Sequence, residues 1–149
     1  MHRTKIGITL KPHHCNKWPL MSVGLDDFVL FKTRLDSTKT YAIDHPLDLG
    51  EHVFWVKMEG KTNADTTEIA DQALEIAAVT IEGITADRFI WRGVYTPEYP
   101  EPWASQQANL LPEITNTTYL GWNGVWRLRF SVPVFRWIHE VEHLGWIYD

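Results

Sequence analysis

Short apolar runs that alternate with polar residues constrain this chain more than any other feature. Ile6, Ile8 and Leu10 recur at every second position near the start, and the apolar residues of segment 126–130 do the same near the end. A period of two places all members of a run on one face of a β-strand. Apolar segments also predict strands at residues 20–23, 28–31, 40–43, 50–58, 74–81 and 88–95. The strand at 50–58 has apolar residues at both odd and even positions, so it is expected to be a central strand covered on both faces.

Three local signals refine this pattern. Asn123-Gly124, which lies between apolar residues, is typical of a type I′ hairpin turn. The apolar phase of the strand at 74–81 slips near residues 77–78, which predicts a β-bulge. Asp-His-Pro at residues 44–46 is expected to end the strand that precedes it.

One helix is predicted at the C-terminal end. Pro133 suits the first turn of a helix, and Val134, Ile138 and Val141 form an apolar stripe at helical spacing. Many short strands followed by one helix predict an all-β chain, a jelly-roll-like antiparallel β-sandwich with one short C-terminal helix. A chain of this length fits one domain, so residues 1–149 are predicted to form a single β-sandwich domain.

Charge and hydropathy argue against several classes of partner. The net charge is −5 and there is no run of lysine or arginine, so we expect no nucleic-acid partner. No apolar segment is long enough to span a bilayer, and the N-terminal residues do not resemble a signal peptide, so we expect synthesis in the cytoplasm and no membrane partner. Eight tryptophans suit a core, a protein interface or a sugar-stacking platform.

One short motif suggests catalysis. His139-Glu140-Val141-Glu142-His143 matches H-E-x-x-H, in which two histidines one helical turn apart bind zinc and the glutamate acts as a base. Only six residues follow His143, which leaves no third ligand at the usual spacing. We therefore expect an exposed polar helix face and a chain that is not an enzyme. A zinc hydrolase that uses His139, Glu140 and His143 remains a third hypothesis.

The middle of the chain resembles calcium-dependent xylan-binding modules. The similarity lies in LGEHVFWV at 49–56, DQALEI at 71–76 and VTIEG at 79–83. It implies a jelly-roll sandwich in which a polar loop binds calcium and sugar. Calcium is a hard cation and prefers oxygen donors. The candidate calcium ligands are Asn63, Asp65 and Asp71.

A second resemblance covers more of the chain. The segments YTPEYPEPW at 95–103, LGWNGVWRLRF at 120–130 and PVFRW at 133–137 are similar to those of small bacteriophage proteins. This similarity implies a phage-encoded structural protein of the virion, such as a tail, baseplate or capsid-decorating component. Such a protein would be made in the host cytoplasm and then enter the virion.

Two functions follow from these patterns. The first is a non-catalytic assembly protein that needs no cofactor and binds other virion proteins or copies of itself as a homo-oligomer. The alternative is a calcium-dependent carbohydrate-binding protein for surface glycans. Its sugar platform would consist of Trp91, Tyr95, Tyr99 and Trp103.

Overall fold

The computed structural model describes residues 2–85, 87–99, 101 and 103–142. Within this part the chain forms eleven strands, two short α-helices and two single 3₁₀ turns, at Asn63–Asp65 and Ala104–Gln106. The strands are β1 (His2–His13), β2 (Leu20–Leu25), β3 (Phe28–Arg34), β4 (Lys39–Leu47), β5 (Gly50–Glu59), β6 (Ala73–Ile81), β7 (Ile84–Thr85), β8 (Val94–Pro97), β9 (Ile114–Thr115), β10 (Tyr119–Leu120) and β11 (Gly124–Val132). The helices are α1 (Asp87–Trp91) and α2 (Val134–Glu142).

The strands form two antiparallel sheets. The first has the order β10-β6-β1-β4, with β7 paired to β6, and the second has the order β3-β2-β5-β11-β8-β9. This arrangement confirms the predicted β-sandwich with one short C-terminal helix. The predicted domain boundaries of 1–149 stay a prediction.

The core lies between the inner faces of the sheets. Each long strand contributes alternate side chains to it, as a period of two requires. The fully buried residues include Ile8 and Leu10 of β1, Phe54 and Val56 of β5, and Trp126 and Leu128 of β11. The intervening residues of β5 and β11 face outward, and this outer face holds the site described below.

The predicted β-bulge is present. Thr9 of β1 pairs with Ala78 of β6, but the next residue, Leu10, pairs with Ile76. Ala77 therefore has no partner in the ladder, and the extra residue shifts the apolar phase of β6. Val79 and Ile76 consequently both reach the core despite their odd spacing.

Strand β4 continues through the segment 44–46 that was expected to end it. Pro46 pairs with Arg3, and the strand ends at Leu47. The proline is tolerated because β4 is the edge strand of its sheet, where a missing N–H breaks no ladder hydrogen bond. The predicted end was therefore wrong.

The predicted strand at residues 88–95 is also incorrect in its first half. The chain forms α1 there and becomes extended only at β8. The helical turn carries Phe89 into the core, where its ring stacks on Trp137 with centroids 5.6 Å apart. Gly93 then passes directly against Trp126, since a Cβ at Gly93 would lie 1.9 Å from the indole.

Asn123 and Gly124 do not form a hairpin turn. β10 pairs with β6 in the first sheet, whereas β11 pairs with β5 and β8 in the second, so the segment 121–123 crosses between sheets. The Asn123 side chain bonds the backbone N–H and C=O of Lys61, at 2.8 and 2.9 Å. Gly124 has a φ of +155° and lies against the backbone of β8, which leaves no room for a Cβ.

The C-terminal helix begins directly after Pro133, as predicted. Val134, Trp137 and Ile138 are buried against β11 and α1, whereas Phe135 and Arg136 are exposed. Among the residues described, no helix has the length and apolar character needed to cross a membrane.

Candidate functional site

An open cleft of about 580 Å³ crosses the outer face of the second sheet. Its floor is formed by the outward residues of two central strands, which lie opposite one another in the ladder. Trp55 of β5 pairs with Arg127 of β11, and Val53 pairs with Arg129. Lys57 and Val125 form the next pair, and the β2–β3 turn closes one side with Asp26 and Asp27.

Trp55 is held in a defined orientation on this floor. Gly24, its partner on β2, has no side chain, and the indole covers the space that a Cβ would take, 2.0 Å from the nearest ring carbon. The indole N–H donates to the carbonyl oxygen of Asp26 at 2.8 Å. The ring is half-buried, and no other aromatic ring of the described residues stacks on it.

Asp26 joins the β2–β3 turn to β5. Its backbone N–H donates to the Val53 carbonyl at 2.8 Å, and its carboxylate accepts from the Val53 N–H at 2.9 Å. The second carboxylate oxygen lies 2.6 Å from Nδ1 of His52. Asp26 adopts a φ of +52°, a conformation that Asp tolerates better than most residues. The anchor of the Trp55 indole is therefore itself fixed.

His52 is electrostatically coupled to this turn. Burial lowers the pKa of His52, but hydrogen bonds to the Asp26 carboxylate and the Asp48 carbonyl outweigh that effect, so the net pKa is raised. The protonated ring is therefore favoured next to Asp26.

Three arginines extend the polar lining. Arg127 and Arg129 also line an adjoining cavity of about 250 Å³ that includes Arg92 and Glu113. A further cavity of about 400 Å³ continues from Arg129 towards Glu51. In the part of the chain that the structure describes, no carboxylate lies within 4.0 Å of any of the three guanidinium groups. Arg127 Nη1 donates to the Thr96 hydroxyl at 3.4 Å, and the guanidinium groups have further N–H donors that can reach a ligand in the cleft.

The four aromatic residues predicted to bind sugar do not form one platform. Tyr95 lies on the inner face of β8, only 3% exposed, and its hydroxyl bonds the backbone of Trp122. Burial raises the pKa of Tyr95 to about 12. Tyr99 and Trp103 contact each other with ring centroids 5.9 Å apart, and Trp91 is 48% exposed on α1. The role of Trp91, Tyr99 and Trp103 stays a prediction.

The predicted calcium ligands lie in the loop between β5 and β6. Asn63 is exposed on the 3₁₀ turn, whereas Asp65 is fully buried. The Asp65 carboxylate accepts from the Asn16 amide at 3.0 Å, from the N–H and hydroxyl of Thr62 at 2.7 and 3.0 Å, and from Lys17 Nζ at 2.8 Å. Burial raises the pKa of Asp65, but these bonds outweigh it and hold the pKa well below its usual range. This carboxylate is therefore ionised and already fully coordinated by protein donors.

Asp71 is bound by different protein donors. One oxygen accepts from Lys61 Nζ at 2.5 Å and the other from the Tyr119 hydroxyl at 2.8 Å. Burial raises the pKa of Asp71, but the bonds from Lys61 and Tyr119 lower it by more. Among the described residues, no group of three His, Cys, Asp or Glu side chains is placed to hold a metal ion. The calcium site predicted at Asn63, Asp65 and Asp71 stays a prediction, and both of its carboxylates are already bound by protein donors.

The zinc hypothesis falls partly outside the described residues. His143 lies outside the described residues, so the zinc hypothesis stays a hypothesis. Glu140 pairs with Arg136 on the same helix, with the charged atoms 3.4 Å apart.

Trp55 was missed because β5 was expected to be covered on both faces. Its inner residues are buried, but its outer residues line the open cleft. A signal was present in the sequence, since Glu51, Lys57 and Glu59 share the parity of Trp55 and mark that face as solvent-exposed.

Comparison with known proteins supports the fold only. Neither a protein-family model nor a curated protein sequence matches the chain. Two solved structures are similar, both of vCBM60, which is among the calcium-dependent carbohydrate-binding modules. The selenomethionine form has a TM-score of 0.56 and 14% identity, and covers 84% of this chain and 89% of its own. The complex with galactobiose has a TM-score of 0.53 and 15% identity, and covers 83% of this chain and 96% of its own.

Proposed function

We propose that this chain is a non-catalytic carbohydrate-binding protein whose ligand lies in the cleft over Trp55. The observation that carries the proposal is a half-buried indole, fixed by Gly24 and Asp26, at the floor of an open cleft. The apolar C–H face of a sugar ring packs on such a surface. An aromatic floor with a few placed polar groups is typical of small-ligand sites.

The polar lining suits sugar hydroxyl groups. A hydroxyl both donates and accepts hydrogen bonds, so its site needs both kinds of partner. Arg127 and Lys57 supply donors beside Trp55, and the Asp27 carboxylate supplies an acceptor. Similarity to two carbohydrate-binding structures, one of them with galactobiose, supports the same class of ligand.

The shape of the cleft favours a chain of sugars over a single residue. One adjoining cavity shares Arg127 and Arg129 with the main cleft, and the other shares Arg129 and Val53, so the groove continues across β5, β11 and β8. An open groove of this kind accommodates internal units of a polysaccharide.

The experiment that tests this proposal is calorimetric titration of the full chain with a panel of oligosaccharides that includes galactobiose. We expect binding that Trp55→Ala weakens by at least roughly tenfold, because an aromatic anchor at the centre of a site carries much of the free energy. Trp103→Ala is the matched control, since Trp103 is 44% exposed and lies outside the cleft. Loss of binding in Trp103→Ala alone would place the sugar on the aromatic set predicted from sequence. No binding to any glycan would contradict the proposal itself.

An assembly protein remains the second candidate. The observation in its favour is the edge strand β3, where Phe28 is 62% exposed and Val29 is also exposed. An unpaired strand edge with apolar side chains is a common contact between subunits. The predicted virion partners and host-cytoplasm location belong to this candidate. Light scattering that gives a stable oligomer for the native chain and a monomer for Phe28→Lys would favour it.

A further inference from the structure

Two carboxylates of the β5–β6 loop lie against lysine ammonium groups. Asp65 is fully buried, whereas the side chain of Asp71 is 34% exposed and contacts the buried ammonium group of Lys61. A buried carboxylate is costly unless positive charge and hydrogen bonds compensate it. In a loop of this composition, a calcium ion is one source of that charge.

The chain supplies the charge from its own lysines. Lys17 extends from the β1–β2 connection to Asp65, and the Asn16 amide bonds the other oxygen of the same carboxylate. These contacts fix the β5–β6 loop to the connection that follows β1. Gln72 reinforces the tie, since its side-chain amide donates to the Lys17 carbonyl at 3.1 Å.

The ammonium group of Lys61 is enclosed more fully than that of Lys17. The Lys61 side chain is only 1% exposed. Its ammonium group bonds a carboxylate oxygen of Asp71 and the carbonyl oxygen of Gly121, each at 2.5 Å, and lies 4.6 Å from the centre of the Trp122 ring. Carboxylate and carbonyl oxygens are also the ligands that a hard cation takes.

We propose that the ammonium groups of Lys17 and Lys61 supply the positive charge that a bound divalent cation would otherwise supply to the carboxylates of this loop. The loop is then ordered without calcium, and sugar binding does not require calcium either. The first statement is independent of the proposed function, whereas the second rests on it. The chain thus differs from the calcium-dependent modules that its fold resembles.

The first test is thermal unfolding of the full chain in EDTA and again in excess calcium. We expect the two midpoints to agree within about 1 °C, since the carboxylates are already paired. An ion at about a hundred times its Kd would raise the midpoint by roughly 5–10 °C in a protein of this size. A calcium-specific rise of that order would overturn the proposal. Titration with the best glycan in EDTA is the parallel arm, and loss of binding only there would overturn the second statement alone.

The second test removes the lysine. We expect Lys61→Met to lower the unfolding midpoint by roughly 5 °C or more, because it leaves Asp71 without its buried partner. Lys11→Met, at an exposed lysine on β1, is the matched control and should change the midpoint little. The double variant Lys61→Met/Asp71→Asn should recover part of the loss, since it removes both charges.

Two results would contradict the role of Lys61. One is a Lys61→Met midpoint equal to that of the control, and the other is a double variant whose loss is the sum of the two single losses. If Lys61→Met does not fold, Asp71→Asn provides the same comparison, because it keeps the side-chain size and the acceptor for Tyr119 while removing the charge opposite Lys61.

Discussion

Individual residues set the geometry of the cleft through contacts that sequence patterns do not reveal. Gly24 allows the Trp55 indole to cross β2, and the Asp26 carbonyl fixes its N–H. Gly93 does the same for Trp126 in the core. Each glycine lies far from its tryptophan in sequence, so only the folded structure brings the pair together.

The His52–Asp26 contact predicts a pH dependence of stability. The pKa of His52 is raised in the folded state, so protonation favours the folded chain. Its contribution is complete below the unfolded pKa of about 6.5 and is lost as pH rises through the folded value. The facing charged groups are Asp26 and Asp48.

We therefore expect the unfolding midpoint of the native chain to fall more steeply between about pH 6 and 8 than that of His52→Gln. Thermal denaturation at fixed ionic strength across this range measures both slopes. Parallel curves for the two proteins would show that His52 does not contribute.

Among the strands and helices, those whose buried residues recur with a fixed period could be predicted from the sequence. The alternation in β1, β5 and β11 and the apolar stripe of α2 each predicted the correct structure, because one face of each element packs on the core. Even the bulge in β6 left a trace in the apolar phase. Strand pairing, by contrast, is not visible in the sequence pattern. Asn123-Gly124 was predicted to form a hairpin turn, but hydrogen bonds from the Asn123 side chain to the backbone of Lys61 override that preference.

The short helix α1 was missed for a different reason. Its five residues cover little more than one helical turn, so no apolar stripe can repeat, and the aromatic residue Phe89 suits a strand equally well by propensity. Its stacking on Trp137 decides the conformation, and Trp137 lies far along the chain, on the helix α2 that follows β11.

The aromatic contact of α2 with the core should contribute strongly to the free energy of unfolding. Trp137 is 7% exposed and contacts Phe89 and Phe130, so Trp137→Ala should lower the free energy of unfolding by about 3–5 kcal/mol. Phe135→Ala is the control on the same helix. Since Phe135 is 61% exposed, its loss should cost no more than about 0.5 kcal/mol. Urea denaturation measures both, and equal losses would show that α2 is not packed as described.

The whole molecule combines a sandwich that could be predicted with a cleft that could not. The sandwich follows from many amphipathic strands, which must bury their apolar faces against one another. The cleft depends on the pairing of β5 with β11, which places Trp55 opposite Arg127 and Val53 opposite Arg129. The aromatic residues of segment 95–103 were predicted to bind sugar, but Tyr95 is buried in the core.

A sugar chain bound over Trp55 would change the chemical shifts of the cleft residues, which nuclear magnetic resonance can map residue by residue. The labelled chain would be titrated with the oligosaccharide that binds best, and the indole N–H of Trp55 followed together with the backbone amides of β5 and β11. We expect the largest shift changes at Trp55, Arg127 and Arg129. Largest changes at Trp103 or in the loop 63–71, with the Trp55 signal unmoved, would contradict it.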